Sequence, residues 1–253
     1  MKSPALVGAW LVMFIAAAMA NPMVDYGEAY MHSEDLTISI EPGGDAAFSG
    51  KFEFQPLPQY QTPSMPVELE IPIWIPETAS DKNGALAHFL AAIRLDRWKP
   101  LEGEIRALFE EVIGLKIESA GKSVPYDGFW VAAYKKTGKD VPAEKKYPEV
   151  LCLTFRVLID ASQLKEGSKL MLTYRQPLIQ AGDSEILFYR PIFKNISPET
   201  LGKNSANYRI TVRTKGGMKL EPQSDLKYRT KPASDELNII PEHEKPIIIK
   251  IKK

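Results

Sequence analysis

The chain has 253 residues, of which 44% are hydrophobic and 25% are charged, and it contains 20 prolines and a single cysteine. These proportions exclude a collagen, a disordered chain and a small protein held together by disulfides. The 32 basic and 32 acidic residues cancel, so no net field draws the chain onto nucleic-acid phosphates, and we expect no nucleic-acid partner.

The first 20 residues have the three-part layout of a secretory signal peptide. Lys2 gives a positive start, an apolar run extends from Ala5 to Ala18, and Ala18-Met19-Ala20 supplies the small residues that a signal peptidase reads. The run is shorter than the roughly 20 residues that a membrane span needs. We therefore predict cleavage after Ala20 and an exported protein, periplasmic or secreted, with no stable transmembrane anchor. An uncleaved N-terminal anchor is the alternative.

Cys152 is the only cysteine, so an internal disulfide is impossible in this chain. It lies in the apolar sequence Val150-Leu151-Cys152-Leu153, which favours a small buried residue on a strand over a reactive thiol. Stability must then come from the hydrophobic core, and the chain is long enough to bury one or two cores.

Apolar and polar residues alternate in three stretches after the signal sequence: Leu36 to Ile40, Phe48 to Phe54 and Val67 to Ile73. A period of two places one face of a strand on a core and the other toward water. Pro and Gly at residues 41–45 predict a hairpin turn between the first two strands. Pro72 has no N–H for a ladder, so we expect the third strand to lie at a sheet edge or to break there.

Helical spacing replaces alternation between about residues 81 and 114, where we predict a two-helix insertion. The first helix extends from about Asp81 to Pro100. The second ends at Gly114, a residue suited to the left-handed conformation after a helix. Its apolar residues follow the spacing of one helix face: Ile105, Leu108, Phe109, Val112 and Ile113.

Strands resume after the insertion, beginning with a hairpin whose loop is Ser119-Ala120-Gly121. In total we predict about a dozen short strands with regularly spaced turns, which indicates a mainly β fold of the β-sandwich type.

The number of strands exceeds that of one seven-stranded sandwich, so we predict two packed β units. Residues 1–20 form the signal peptide, residues 21–163 a β-sandwich domain with the helical insertion, and residues 164–253 a second β unit. The boundary falls near residues 160–168, where turn-forming residues cluster. One large sandwich with a helical insertion is the alternative.

No motif organises a catalytic, cofactor-binding or metal-binding site. Gly121-Lys122-Ser123 resembles the end of a phosphate loop, but its spacing from Gly114 and the order of helix and strand are wrong. His32, His88 and His243 lack the convergent spacing of metal ligands, so we interpret them as surface or structural residues. The sequence contains no Gly-x-Ser-x-Gly elbow. We predict no site residues and no cofactor.

Two other sets of residues are candidates by type alone. Glu68 and Glu70 could supply paired carboxylates, but they alternate with apolar residues and are expected to face water. Trp74, Trp98 and Trp130 could form a sugar-binding platform, but two of them lie in strand patterns where packing in the core is the ordinary role.

Ser33-Glu34-Asp35-Leu36, followed by Lys51-Phe52-Glu53-Phe54, resembles the opening of an exported, β-rich bacterial family of unknown function. Members of that family carry a later tyrosine-rich hairpin, here Tyr174-Arg175-Gln176 and Phe188-Tyr189-Arg190-Pro191. The resemblance implies a location in the cell envelope and β structure, and it supplies no catalytic residues. Residues 186–191 also resemble the end of the first domain of periplasmic pilus chaperones, although the basic residue expected before them is absent.

These observations favour a non-enzymatic protein of the cell envelope that binds or scaffolds another envelope protein or a surface ligand. The alternatives are an exported hydrolase with carboxylates dispersed in the sequence and a carbohydrate- or lipid-binding module. The three differ in what the fold must bring together: acids facing each other for a hydrolase, exposed aromatic rings for a sugar and an apolar groove for a lipid.

Overall fold

The computed structural model describes residues 23–24, 29–56, 67–76, 99–136, 150–159, 168–181, 183–189, 207–222, 225–242 and 245–252. Within these ranges the protein is mainly β, with one helix and strands in three sheets. The predicted signal peptide and residues 81–98 of the first predicted helix lie outside the described residues, and Lys99 and Pro100 at its predicted end form a short strand instead. No helix in the described part is long and apolar enough to cross a membrane.

The elements run along the chain in the following order: β1 (Met23–Val24), β2 (Ala29–Glu41), β3 (Asp45–Pro56), β4 (Val67–Pro76), β5 (Lys99–Pro100), α1 (Gly103–Ile113), β6 (Lys116–Ser119), β7 (Lys122–Ser123), β8 (Tyr126–Lys136), β9 (Val150–Ile159), β10 (Ser168–Pro177), β11 (Ile179–Ala181), β12 (Ser184–Tyr189), β13 (Tyr208–Thr214), β14 (Lys219–Pro222), β15 (Lys227–Tyr228), β16 (Glu236–Ile240) and β17 (Ile247–Lys252).

The largest sheet has eight strands in the order β15-β16-β13-β2-β3-β10-β6-β7. Its neighbours are antiparallel except for β13 and β2, which are parallel. The hairpin predicted from residues 41–45 is present, with Glu41 opposite Asp45. Gly43 and Gly44 make this turn at φ 127° and 92°, a backbone region that residues with a Cβ rarely enter.

The eight-stranded sheet buries one face, which we call the inner face, and exposes the other, the outer face. This follows from the period-two alternation that the sequence predicts for β2 and β3. The inner face carries these buried side chains: Leu36, Ile38, Ile40, Phe48, Phe52, Leu170, Leu172, Tyr174, Ile210, Val212, Leu237 and Ile239.

A four-stranded sheet, in the order β11-β12-β17-β14, contributes residues to the same core cluster as the inner face. The ring of Tyr189 on β12 lies 5.7 Å from the ring of Phe48 on β3, measured between centroids. Along β12 and β17, Ile186, Phe188 and Ile248 alternate with residues of this core cluster, so they lie on the opposite face of the sheet. They are buried as well. The sheet is therefore apolar on both faces, which explains the nearly continuous apolar sequences of β12 and β17.

The third sheet has five antiparallel strands in the order β1-β4-β9-β8-β5. Val157 and Ile159 on β9 join the same core cluster as the inner face. Pro72 does not break β4, which is continuous from Val67 to Pro76. Within the described residues β1 pairs with β4 only at Leu69 and Glu70, so most of β4 lies at the sheet edge, as Pro72 predicts.

The second predicted helix is present as α1, and Gly114 follows it in the left-handed conformation with φ 60°. The Gly114 N–H donates to the carbonyl oxygen of Glu110 at 2.9 Å, which closes the last turn. The predicted hairpin after the helix is formed by β6 and β7. The two-helix insertion as a whole is not confirmed, because residues 81–98 of its first helix lie outside the described residues and Lys99–Pro100 is a strand.

The predicted boundary near residues 160–168 does not separate the sheets. In the eight-stranded sheet, β10 from the C-terminal side of that boundary pairs with β3 and β6 from the N-terminal side. The parallel pair of β13 and β2 also crosses it. The division into two β units stays a prediction, and one core cluster contains residues from all three sheets.

Candidate functional site

The outer face of the eight-stranded sheet carries a row of hydroxyl side chains. The strand register places Thr211, Thr37, Ser49 and Thr173 next to one another across β13, β2, β3 and β10. Neighbouring strands lie about 4.8 Å apart, so these four residues form a line perpendicular to the strands. Ser49 is exposed and the three threonines are half-buried.

Hydrogen bonds fix one end of this hydroxyl row. The Thr211 hydroxyl donates to the Asn238 amide oxygen at 3.0 Å. The Arg213 guanidinium Nε donates to the Ser39 hydroxyl at 3.0 Å. Since all of these residues stand on paired strands, their positions are held by the backbone ladder rather than by loops.

Oppositely charged residues on neighbouring strands pair across the outer face. Arg209 lies 3.8 Å from the Asp35 carboxylate, and Lys169 lies 3.7 Å from the Glu53 carboxylate. Exposed pairs of this kind contribute little to stability. On the outer face, the carboxylates of Asp35 and Glu53 are therefore each already paired with a cation.

Besides Arg213, which bonds to Ser39, three exposed cations on the outer face have no ion-pair partner among the described residues: Lys51, Lys116 and Arg175. Lys116 lies beside Thr173 in the strand register. Lys51 is two residues from Ser49 on β3, and Arg175 is two residues from Thr173 on β10. The pair of Ser49 and Thr173 is therefore surrounded by positive charge on three sides.

Beneath the outer face, a carboxylate is buried between two sheets. Glu34 on β2 is only 1% exposed, and the Tyr189 hydroxyl donates to its Oε1 at 3.3 Å. Burial, and then the nearby Glu34 charge, raise the pKa of Tyr189 well above its usual range. Gln176 on β10, also buried, donates from Nε2 to the carbonyl oxygen of Phe188 at 3.0 Å. These contacts join the eight-stranded and four-stranded sheets.

Tyr174 is the fourth polar residue of this buried cluster. Its ring stacks on Phe48 with 4.6 Å between centroids and 11° between planes. Its hydroxyl is buried and has no hydrogen-bond partner among the described residues. Burial, followed by the Glu34 charge, raises the pKa of Tyr174 well above its usual range.

A second cluster joins α1 to β8. Arg106 donates from Nε to Glu110 Oε1 at 2.9 Å, and the Tyr126 hydroxyl donates to the same oxygen at 2.9 Å. The Arg106 guanidinium also lies 5.6 Å from the centroid of the Tyr126 ring. Burial, together with the hydrogen bond to Glu110, raises the pKa of Tyr126 to about 12. The i,i+4 spacing of Arg106 and Glu110 is visible in the sequence, whereas the contact with Tyr126 is not.

Of the histidines, glutamates and tryptophans that the sequence singles out by type, His32 and Trp130 have described side chains, and they lie in different sheets. His32 is half-buried at an irregularity in the pairing of β2 with β3, between Met31 and Ser33. His88, His243 and Trp98 lie outside the described residues. Trp130 is half-buried on β8. Among the described residues no group of three or more His, Cys, Asp and Glu side chains could hold a metal ion.

The structure excludes a phosphate-binding loop at Gly121-Lys122-Ser123. Gly121 lies in the turn between β6 and β7, and Lys122 and Ser123 form β7 itself. A phosphate loop must open a helix, whereas these residues lie in an antiparallel hairpin. The outer face and Glu34 were missed because the sequence gives no signal for which strands become neighbours.

Comparisons with known proteins give no family for this chain. No family model matches it, and no curated protein matches it. Among solved structures, native leukotriene A4 hydrolase from Saccharomyces cerevisiae aligns with a TM-score of 0.39 and 9% identity, over 92% of this chain and 30% of that protein. An aminopeptidase N family protein from Idiomarina loihiensis aligns with a TM-score of 0.34 and 10% identity, over 86% of this chain and 29% of that protein.

The chain thus spans less than a third of the length of these two proteins. Likeness at these TM-scores and identities defines neither a fold nor an activity for this chain.

Proposed function

We propose that this is an exported protein of the cell envelope that binds or scaffolds a partner through the outer face of its eight-stranded sheet, and that it is not an enzyme. The observation that carries the proposal is the outer face itself, where a row of hydroxyls and a set of cations without carboxylate partners stand on paired strands. The signal-peptide layout of residues 1–20 supports export.

A sheet face is suited to binding because its side chains are held in place before a partner arrives. The backbone ladder and the core beneath fix Thr37, Ser49 and Thr173 relative to one another. Little conformational freedom is then lost on binding, which lowers the entropic cost of association. The mixture of hydroxyls and charges favours a polar partner over an apolar one.

The architecture that we infer for this binding protein is of the β-sandwich type. The contact of Phe48 with Tyr189 and the hydrogen bond of Tyr189 to Glu34 support face-to-face packing of the eight-stranded and four-stranded sheets. We further propose that residues from about 81 complete a two-helix insertion with α1.

An exported hydrolase with dispersed carboxylates is the rival function. Glu34 is the buried carboxylate of the described residues, and a glycosidase would need a second acid facing it across a cleft. Purified protein that hydrolyses generic ester or glycoside substrates, and loses that activity in Glu34→Gln, would favour the hydrolase.

Site-specific crosslinking tests the binding proposal. A photoreactive amino acid replaces Ser49 on the outer face in one variant and Ser234, in an exposed loop, in a matched control. We expect Ser49 to give a crosslinked product in the envelope fraction of producing cells and Ser234 to give none. Equal products from both positions, or none from either, would contradict binding through the outer face. Mass spectrometry of the exported chain should show Asn21 as its first residue.

A further inference from the structure

We propose that Ser49 and Thr173, with Lys51, Lys116 and Arg175, form a binding site for an acidic polysaccharide. The inference rests on the proposed function and specifies the partner of the same face. It is carried by the juxtaposition of two opposed hydroxyls with three exposed cations on adjacent strands in the order β3-β10-β6.

The spacing of the site follows from the strand register. Ser49 and Thr173 are direct cross-strand neighbours, with Cα atoms about 5 Å apart. Lys116 lies one strand further, opposite Thr173. Residues two apart on a strand are separated by about 7 Å on the same face, which places Lys51 and Arg175 along the strands from the hydroxyl pair. The cations are therefore distributed around the hydroxyls rather than gathered at one point.

The charge around the Ser49 and Thr173 hydroxyls is positive because few unpaired acids lie near them on the outer face. Asp35 lies opposite Lys51 in the strand register and is paired with Arg209, and Glu53 is paired with Lys169. Two further acids lie near the site: Glu118, half-buried on β6 opposite Met171, and Asp45, exposed on β3 two residues from Ala47, which lies opposite Arg175. Three cations against two carboxylates leave a net positive site that attracts anions, in a chain whose formal charge is zero.

Exposed single ion pairs are weak, typically no more than about 1 kcal/mol each. A small anion would gain too little from any one of these cations to stay bound. A polymer that presents repeated carboxylates can engage several cations together, and each later contact benefits from the first. Three separated cations therefore fit a polyanion better than a single ion.

The two hydroxyls favour a glycan among polyanions. Ser and Thr hydroxyls both donate and accept hydrogen bonds, as sugar hydroxyls do. Single-stranded nucleic acid is instead held by stacking of its bases on aromatic rings. The three rows of outer-face residues that hold the site contain no aromatic ring: Arg209-Asp35-Lys51-Met171-Glu118, Thr211-Thr37-Ser49-Thr173-Lys116 and Arg213-Ser39-Ala47-Arg175.

The test measures binding of the full exported chain to immobilised polygalacturonate, with neutral dextran as the uncharged control. We expect binding to polygalacturonate that weakens as salt is raised, and no binding to dextran. The variant Lys51→Gln/Lys116→Gln/Arg175→Gln should lose about tenfold or more in affinity, since several charge contacts disappear together. Ser49→Ala/Thr173→Ala should lose affinity without changing the salt dependence.

A charge-matched control separates a site from general attraction. Lys219→Gln/Lys231→Gln/Lys250→Gln removes the same charge from exposed positions elsewhere and should leave the affinity unchanged. Circular dichroism and the unfolding midpoint show whether each variant folds. An equal loss in the control variant would overturn the assignment, and so would equally tight binding of a single-stranded DNA oligonucleotide.

The outcomes separate this inference from the proposed function. If polygalacturonate does not bind but crosslinking from Ser49 persists, the outer face binds a partner of other chemistry, and the glycan inference is wrong. If crosslinking from Ser49 fails as well, the binding face itself is wrong.

Discussion

Tyr189 on β12 donates a hydrogen bond to the carboxylate of Glu34 on β2, although 155 residues separate them in the chain. Both side chains are buried, at 1% exposure each. A buried carboxylate is costly unless its oxygens accept hydrogen bonds. The contact therefore explains how the inner face tolerates a charged residue, and it ties two sheets together at one point.

We predict that Tyr189→Phe destabilises the protein by about 1–3 kcal/mol, because Glu34 loses a buried donor while the packing of the ring is kept. Urea unfolding followed by circular dichroism measures the change. Tyr228→Phe, which removes a hydroxyl from a half-buried ring on β15, is the control and should change stability by less than about 0.5 kcal/mol. Equal effects of the two substitutions would show that the Glu34 contact has no special role.

Tyr174→Phe should behave in the opposite way. The Tyr174 hydroxyl is buried without a hydrogen-bond partner among the described residues, and an unsatisfied buried hydroxyl carries a desolvation cost. We expect its removal to leave stability unchanged or to raise it by up to about 1 kcal/mol. Tyr174→Ala, which also removes the ring stacked on Phe48, should cost about 3–5 kcal/mol. A loss of stability in Tyr174→Phe similar to that of Tyr189→Phe would mean that the hydroxyl is satisfied in solution.

We predict that alkaline pH destabilises the folded protein because of the hydroxyl of Tyr126. Its pKa is raised to about 12 in the folded protein, first by burial and then by the hydrogen bond to Glu110, whereas an unfolded tyrosine titrates near 10. Between these values the folded state holds a proton that the unfolded state has lost, so stability falls as pH rises from about 10 to about 12.

Glu110→Gln tests whether the interaction with Glu110 raises the pKa of Tyr126. The amide has no negative charge, so we expect the pKa of Tyr126 to decrease, while burial keeps it above that of a free tyrosine. An NMR titration of the Tyr126 ring carbons measures the pKa directly. The control is Glu111→Gln, which changes an exposed acid next to Glu110 and should leave the titration unchanged. An unchanged pKa in Glu110→Gln would rule out the carboxylate as a cause.

The parts of the fold that the sequence predicts are those set by local rules. The alternation of Leu36 to Ile40, the turn at residues 41–45 and the helix that ends at Gly114 each depend on residues close together in the chain. The alternation predicts the start of β2 at Leu36, whereas the strand begins at Ala29. The polar sequence Ser33-Glu34-Asp35 hides the alternation there, since the partner that makes Glu34 tolerable on the inner face lies far away in the chain.

The candidate site cannot be predicted from the sequence, because it also depends on contacts between distant parts of the chain. Ser49, Thr173 and Lys116 come from three strands that become neighbours only when β10 inserts between β3 and β6. Nothing local indicates that pairing, nor the parallel pairing of β13 with β2. Strand order is decided by how the apolar faces pack, and many orders are compatible with the same alternation.

The turn between β6 and β7 offers a stabilising substitution. Ser119 pairs with Lys122, so Ala120 and Gly121 form a two-residue hairpin loop in which both have positive φ, 49° and 75°. Turns of this kind favour Asn followed by Gly, because Asn enters the left-handed region at lower cost than Ala. We predict that Ala120→Asn raises the free energy of unfolding by about 0.5–1 kcal/mol with an unchanged dependence on urea concentration. Gly121→Ala, which puts a Cβ on the second strained position, should lower it. If Ala120→Asn were no more stable than the unmodified chain, the positive φ of Ala120 would not be a source of strain in solution.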